Sequence, residues 1–387
     1  MLLFRSIIPL ILLFSCKDQA EEETVEASWP WIESAQNEAA PSSDAPTPSY
    51  PSNEAPISAA QEPVADALTV EAPTGNIAPQ GPADHMSQPS ELASDKIGAF
   101  ALGRILFYDE TLSADQQISC GSCHQQQYAF GDNSPTSTGV NGQQSTVNTP
   151  PLINLAWSRL FFWDGREDNL EDAIRAHISD PTIFDTTPEQ LVQRAENHRD
   201  LFEETFPQDA ITADNTITAI AHFVRELISF GAPIDLLHDP TIDKIGLTQE
   251  QERGILILEE RLSTSGGEHY CNNCHVQNSG VNLDNSTQSG LFTIGTILNN
   301  GTGNWRVPTI RNISVTGPYL HDGSIPNLAA LIAHYNDLPD TVHDGLKDAE
   351  GNPIQPQLSE QEIADLVAVL DLFTDETFLT NPRFGKP

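Results

Sequence analysis

Residues 119–126 read SCGSCHQQ and residues 270–277 read YCNNCHVQ. Each stretch holds a CxxC pair with a histidine directly after the second cysteine, and the 387-residue chain has only one other cysteine, Cys16. A dithiol redox site needs a strand–helix–strand pattern that is absent here. Structural zinc takes its ligands in sets of four, and a histidine placed identically after each pair is not its usual form. A disulfide closed inside either pair is sterically awkward. Covalent haem c attachment uses every residue: Cys120 and Cys123 as thioethers with His124 beneath the iron, and Cys271, Cys274 and His275 in the same roles. Two haem c groups are therefore expected.

The opposite face of each iron is decided by a census. Methionine occurs only as Met1 and Met86, so none lies in the part of the chain that reads as folded. The histidine–methionine pairing that raises the potential of electron carriers is then missing. The remaining donors are histidine, tyrosine and lysine, or the position is open.

The N-terminus reads as an export signal. LLFRSIIPLILLF is followed by Ser15 and Cys16, a lipoprotein-type cleavage box in which Cys16 becomes the lipidated residue of a 1–16 signal. The apolar run is shorter than the roughly 20 residues that span a bilayer. Residues 17–92 are rich in Ala, Pro, Ser and Glu and have no apolar period, so they are expected to form a disordered tether. Export agrees with haem c chemistry and implies the periplasm or cell envelope. A formal charge of −37 leaves no basic face for nucleic acid and suits attraction of a basic redox partner.

Helical periods begin at residue 97, with Ile97, Phe100, Ala101, Ile105 and Leu106 on one side. Further helices are predicted over 170–178, 188–198, 216–230, 248–262 and 360–373, with capping boxes at Thr248/Gln251 and Ser359/Glu362. No run of alternating strands appears. The reading is an all-α chain: two cytochrome c-like helical domains, 93–240 and 241–387, packed face to face behind the tether.

Three longer stretches carry a resemblance: LGRILFYDETLS before the first CxxCH, NTPPLINLAWSRLFFWDGREDNL (148–170), and WRVPTIRNISVTGPYLHDGS (305–324) after the second. Residues 95–375 resemble the bacterial di-haem cytochrome c peroxidases and the related MauG-type enzymes. The resemblance implies that peroxide reacts at the His124 haem. Electrons then come through the His275 haem from a small donor such as cytochrome c or a cupredoxin. Trp163 resembles the tryptophan between the haems. Asn148, with the carbonyls of Thr316 and Pro318, resembles a Ca²⁺ site of hard oxygens. Tyr335, counted from His321, stands where the peroxidases carry methionine and the MauG-type enzymes tyrosine, with His334 its rival. Read locally, Trp163 is a core aromatic and Asn148 a turn residue. A homodimer is also within the family's range.

Departures cluster at the peroxide haem. No histidine lies between His124 and His177, so the loop histidine that caps many resting peroxidases is missing, with Val140 and Asn141 in its place. The distal glutamine and glutamate positions hold Ala173 and Ile183. His177 lies one helical turn beyond Ala173. It can serve as the acid–base group that peroxide cleavage needs, bind the iron and close the site, or simply pack. Arg166 is expected to orient a carboxylate or propionate, and Asp180 and Asp185 are weaker stand-ins for the glutamate. Three functions follow: a peroxidase, a MauG-type oxidation of side chains on a partner protein, or an electron carrier or sensor without peroxidase chemistry.

Overall fold

Helix α1 (Ile97–Phe107) crosses helix α6 (Ala213–Arg225) with almost no gap, because Gly103 sits at the crossing. A Cβ on Gly103 would stand 1.9 Å from the Ala219 carbonyl oxygen. Around that crossing Phe107, Phe130 and Phe223 pack edge to face or tilted, with the Phe107 and Phe223 centroids 4.9 Å apart. This is the centre of the larger core. The computed structural model describes residues 97–158, 160–208, 211–236, 246–258, 275, 297–299, 304–338, 351–352 and 355–387. All belong to one compact unit, 73–387. Cys16, the 17–92 stretch, Cys271, Cys274 and the boundary expected at 240 lie outside the described residues.

Between α1 and α6 come the short turn α2 (Cys120–Cys123) and the helices α3 (Leu170–Ser179), α4 (Pro188–Ala195) and α5 (Arg199–Thr205). Beyond α6 lie α7 (Pro233–Leu236), α8 (Gln249–Leu256), strands β1 (Ile297–Asn299) and β2 (Asn304–Arg306), then α9 (Leu328–His334), α10 (Glu360–Asp371) and α11 (Glu376–Thr380). The fold is helical. The two strands form one antiparallel hairpin with Leu298 opposite Trp305, too short for periodicity to reveal. Both expected capping boxes form, Thr248 with Gln251 and Ser359 with Glu362. Helix α6 stops at Arg225 rather than 230. The backbone beyond it is drawn to Asn154, whose N–H donates to the Leu227 carbonyl and whose Oδ1 accepts from Ser229 N–H, each at 2.9 Å.

The elements recur within the chain. Asn154 and Asn312, Phe162 and Leu320, and Gly165 and Gly323 all have positive φ, and each pair is 158 residues apart. The isolated bridges Phe161–Glu167 and Tyr319–Ile325 share that spacing, as do the helix caps Asn169 and Asn327. Gly254 meets the Asp365 carbonyl as Gly103 meets that of Ala219, which places α8 on α10 as α1 lies on α6. The chain end breaks the repeat. Phe378, Leu379 and Phe384 return to the core of the first half, held by Arg104 Nε to the Gly385 carbonyl at 2.7 Å and by Tyr108 Oη to that of Phe384 at 2.7 Å.

Gly103→Ala should force α1 and α6 apart and cost about 1–3 kcal/mol, read as a lower denaturant midpoint with unchanged slope. An unchanged midpoint would show that the crossing tolerates a methyl group.

Candidate functional site

The first CxxCH unit is one helical turn. Ser119 caps α2 and exchanges hydrogen bonds with Ser122, and the His124 N–H closes the turn on the Cys120 carbonyl at 2.8 Å. Cys120 and Cys123 are both free, on the same turn, and half-buried. Burial, reinforced by the neighbouring Cys123, pushes the Cys120 thiol up to about 12. A thiol held protonated is a slow disulfide exchanger. Among the described residues no group of three or more His, Cys, Asp or Glu is arranged to hold a metal ion.

The two histidines are oriented alike. His124 is buried, and its Nδ1 lies 2.7 Å from the Phe130 carbonyl. His275 Nδ1 lies 2.9 Å from the Pro308 carbonyl. A carbonyl acceptor fixes Nδ1 as the protonated nitrogen and leaves Nε2 as the donor, which is how metal-bound imidazoles are oriented. Burial also holds both rings neutral, lowering His124 to about 4 and shifting His275 in the same direction. Two thiols on one turn beside a neutral, oriented imidazole fit covalent haem c.

His177 faces His124, with the ring centroids 6.3 Å apart and the planes at 52°. Its ring lies flat against Phe162, centroids 5.0 Å apart and planes 5° apart. Phe162 presents that face from a left-handed backbone, φ +64°, an unusual conformation for a bulky residue. The guanidinium of Arg166 covers Phe162 at 3.6 Å and pairs with Asp164 at 3.0 Å. Arg166 is thus spent on the loop that holds His177. Asp180 is likewise engaged, accepting from the Thr182 N–H at 2.7 Å and its hydroxyl at 2.6 Å.

Trp163 is held by both halves of the repeat. Its indole N–H donates to the Asn148 carbonyl at 2.7 Å, and its own carbonyl accepts from the Arg306 N–H at 2.6 Å. Asn148 N–H donates in turn to the His321 carbonyl at 2.8 Å, three residues beyond Pro318 and five beyond Thr316. The Asn148 side-chain amide donates to Ser134, leaving Oδ1 as its available oxygen. At the far end of α9 Tyr335 is half-buried and His334 exposed.

The sequence missed Phe162, the carbonyls of Phe130 and Pro308, Arg306, and the stack of Trp305 on His321 at 3.9 Å. None has a local signature. The nearest to a signal is the glycine of WDGR and HDGS, which marks the tight turn that swings Phe162 and Leu320 into place.

This fold and its paired units define a c-type di-haem oxidoreductase. The family model described as di-haem cytochrome c peroxidase matches residues 98–239. The chain is 32% identical over 242 residues to the cytochrome c551 peroxidase of Nitrosomonas europaea, covering 59% of this chain and 69% of that protein. It is 28% identical over 295 residues to the methylamine utilization protein MauG of Methylorubrum extorquens, covering 71% and 78%. A solved structure of a MauG-like protein associated with microbial copper homeostasis aligns with a TM-score of 0.62 at 26% identity, covering 83% of this chain and 99% of that one. The chain belongs to the di-haem cytochrome c peroxidase family, and membership implies two haem c groups.

A pyridine haemochrome assay on protein made in a cell competent for cytochrome c maturation should give two haems per chain. Cys120→Ser with Cys123→Ser should leave one. Two covalent haems in that double variant would refute the attachment assigned here.

Proposed function

We propose that this chain reduces hydrogen peroxide at its His124 haem with electrons taken from a small redox protein at its His275 haem. Trp163 carries the reading, because its indole is bonded to one half of the repeat and its carbonyl to the other. Each half in this reading encloses one haem, as two cytochrome c-like domains set face to face. The haems supply iron that binds peroxide and takes up and passes on electrons.

The protein's own groups do the rest. Trp163 is an oxidisable indole at the junction of the halves, its ring fixed by the N–H bond to the Asn148 carbonyl. His124 and His275 each offer Nε2 because a carbonyl holds Nδ1. His177 is the polar side chain facing His124. Asn148 Oδ1 and the carbonyls of Thr316 and Pro318 are proposed to hold one Ca²⁺ across the same junction. Acidic charge favours a basic donor protein. The lipid on Cys16 is proposed to tie the chain to a membrane at the periplasm or cell envelope, and pairing of two copies is compatible with the family.

A second reading has its own support. Tyr335 is half-buried at the end of α9 while His334 is exposed, which supports tyrosine over histidine as the ligand of the second iron. An anionic oxygen donor lowers the potential relative to methionine, which suits a MauG-type oxidation of side chains on a partner protein.

The test is peroxide-dependent oxidation of reduced cytochrome c by the holoprotein. Turnover is expected, and Trp163→Phe should slow it by about tenfold or more with both haems retained. No turnover with any donor, beside covalent oxidation of a partner protein, would replace the first reading with the second. Tyr335→Met should raise the midpoint potential of the His275 haem in a spectroelectrochemical titration, while His334→Ala should leave it unchanged.

A further inference from the structure

We propose that His177 is the second axial ligand of the haem that His124 binds, so that a side chain of α3 closes the resting peroxide site. This rests on the reading that Cys120, Cys123 and His124 carry a haem.

Distance supports it first. The His124 and His177 centroids are 6.3 Å apart. Two imidazoles bonded to opposite sides of one metal, each at about 2 Å, set their centroids about 6 Å apart. An imidazole acting as a base over a metal-bound substrate must stand back from the metal by a further hydrogen-bond length, about 2.8 Å. His177 is too close for that role.

The internal repeat supports it independently. Asn154, Phe162, Gly165 and Asn169 are matched 158 residues later by Asn312, Leu320, Gly323 and Asn327. Leu170 and Leu328, which open α3 and α9, keep that spacing. The residue matched to His177 is Tyr335, the side chain proposed to bind the other iron. One position of the repeat therefore supplies an axial ligand in each half, a nitrogen in the first and an oxygen in the second.

The third support is how the ring is held. Phe162 stacks on one face and is itself covered by Arg166. Helix α3 carries the ring on the turn after Ala173, where the stack on Phe162 stops it rotating away from His124. Ala173 and Ile183 offer no competing donor.

The test uses the full-length holoprotein, exported and matured. Electron paramagnetic resonance and near-infrared magnetic circular dichroism of the ferric resting state should show two low-spin haems, one with a bis-imidazole signature. In His177→Ala that signature should be lost and replaced by a high-spin haem, with the other haem unchanged and two haems per chain. Added imidazole should restore the low-spin form. Cyanide should bind the opened haem in the variant at least about tenfold faster than in the wild type. A high-spin His124 haem in the wild type would overturn the proposal without any variant, and so would an unchanged bis-imidazole signature in His177→Ala. Bis-imidazole spectra without peroxide turnover in either protein would uphold the ligation and sink the peroxidase reading. Turnover with a high-spin resting haem would do the reverse.

Discussion

A reciprocal pair of backbone hydrogen bonds fixes the centre of this molecule: Asn148 N–H to the His321 carbonyl at 2.8 Å, and Arg306 N–H to the Trp163 carbonyl at 2.6 Å. Residues 148 and 306 are 158 apart, and so are 163 and 321. Each half of the repeat thus donates to the other through one residue and accepts through its partner. That is the contact pattern of a two-fold dimer interface, written into a single chain. Burial deepens the commitment, since Arg306 sits out of water with its guanidinium pushed down to about 10 and its Nε on the Phe162 carbonyl at 3.2 Å. Breaking the pair would strand buried backbone groups, which costs more than the bonds themselves contribute.

From that junction the functional side chains follow. The backbone turns through left-handed conformations at Phe162 and Gly165 in one half and at Leu320 and Gly323 in the other. It then enters a helix capped by asparagine, whose side chain accepts from the N–H three residues on. These turns are strained for Phe162 and Leu320, and strain of this kind survives only where the surroundings hold it. Here the reciprocal bonds and the bridges Phe161–Glu167 and Tyr319–Ile325 do so. The result places His177 and Tyr335 at corresponding points after their turns, on a frame that the rest of each half packs against.

Much of this was open to reading in the sequence. The two CxxCH units, the helices beginning at Ile97, Leu170 and Pro188, and the caps at Thr248 and Ser359 carry local chemistry, and local chemistry shows in a sequence. The early end of α6 did not show, because Asn154 captures the chain there from about 75 residues away. The return of Phe378 and Phe384 to the first core is equally non-local. Nor could residue type alone choose among base, ligand and packing for His177. The ligand role proposed for it draws on a distance to His124, a stacking partner in Phe162, and the match of LHDGS to FWDGR as the same turn.

The departures at the peroxide side then form one pattern. A catalytic base must receive a proton and return it, so it works best among polar groups that share the load. Around His177 the candidates for such a role are Ala173 and Ile183, which have no polar side chain, and Asp180, whose carboxylate is engaged by Thr182. A ligand has a different requirement: a nitrogen at bonding distance and a face held so that the ring does not turn. Phe162, stacked flat on the His177 ring, meets the second of these. Val140, on the loop where many relatives place a capping histidine, is fully buried, and its N–H is bonded to the Ile183 carbonyl at 3.1 Å. A histidine on that loop would have to displace this packing. In the proposed ligation the capping function and its location are separable: Val140 packs inward on the loop, and the nitrogen donor stands on the helix, at the position of the repeat that holds Tyr335 in the other half.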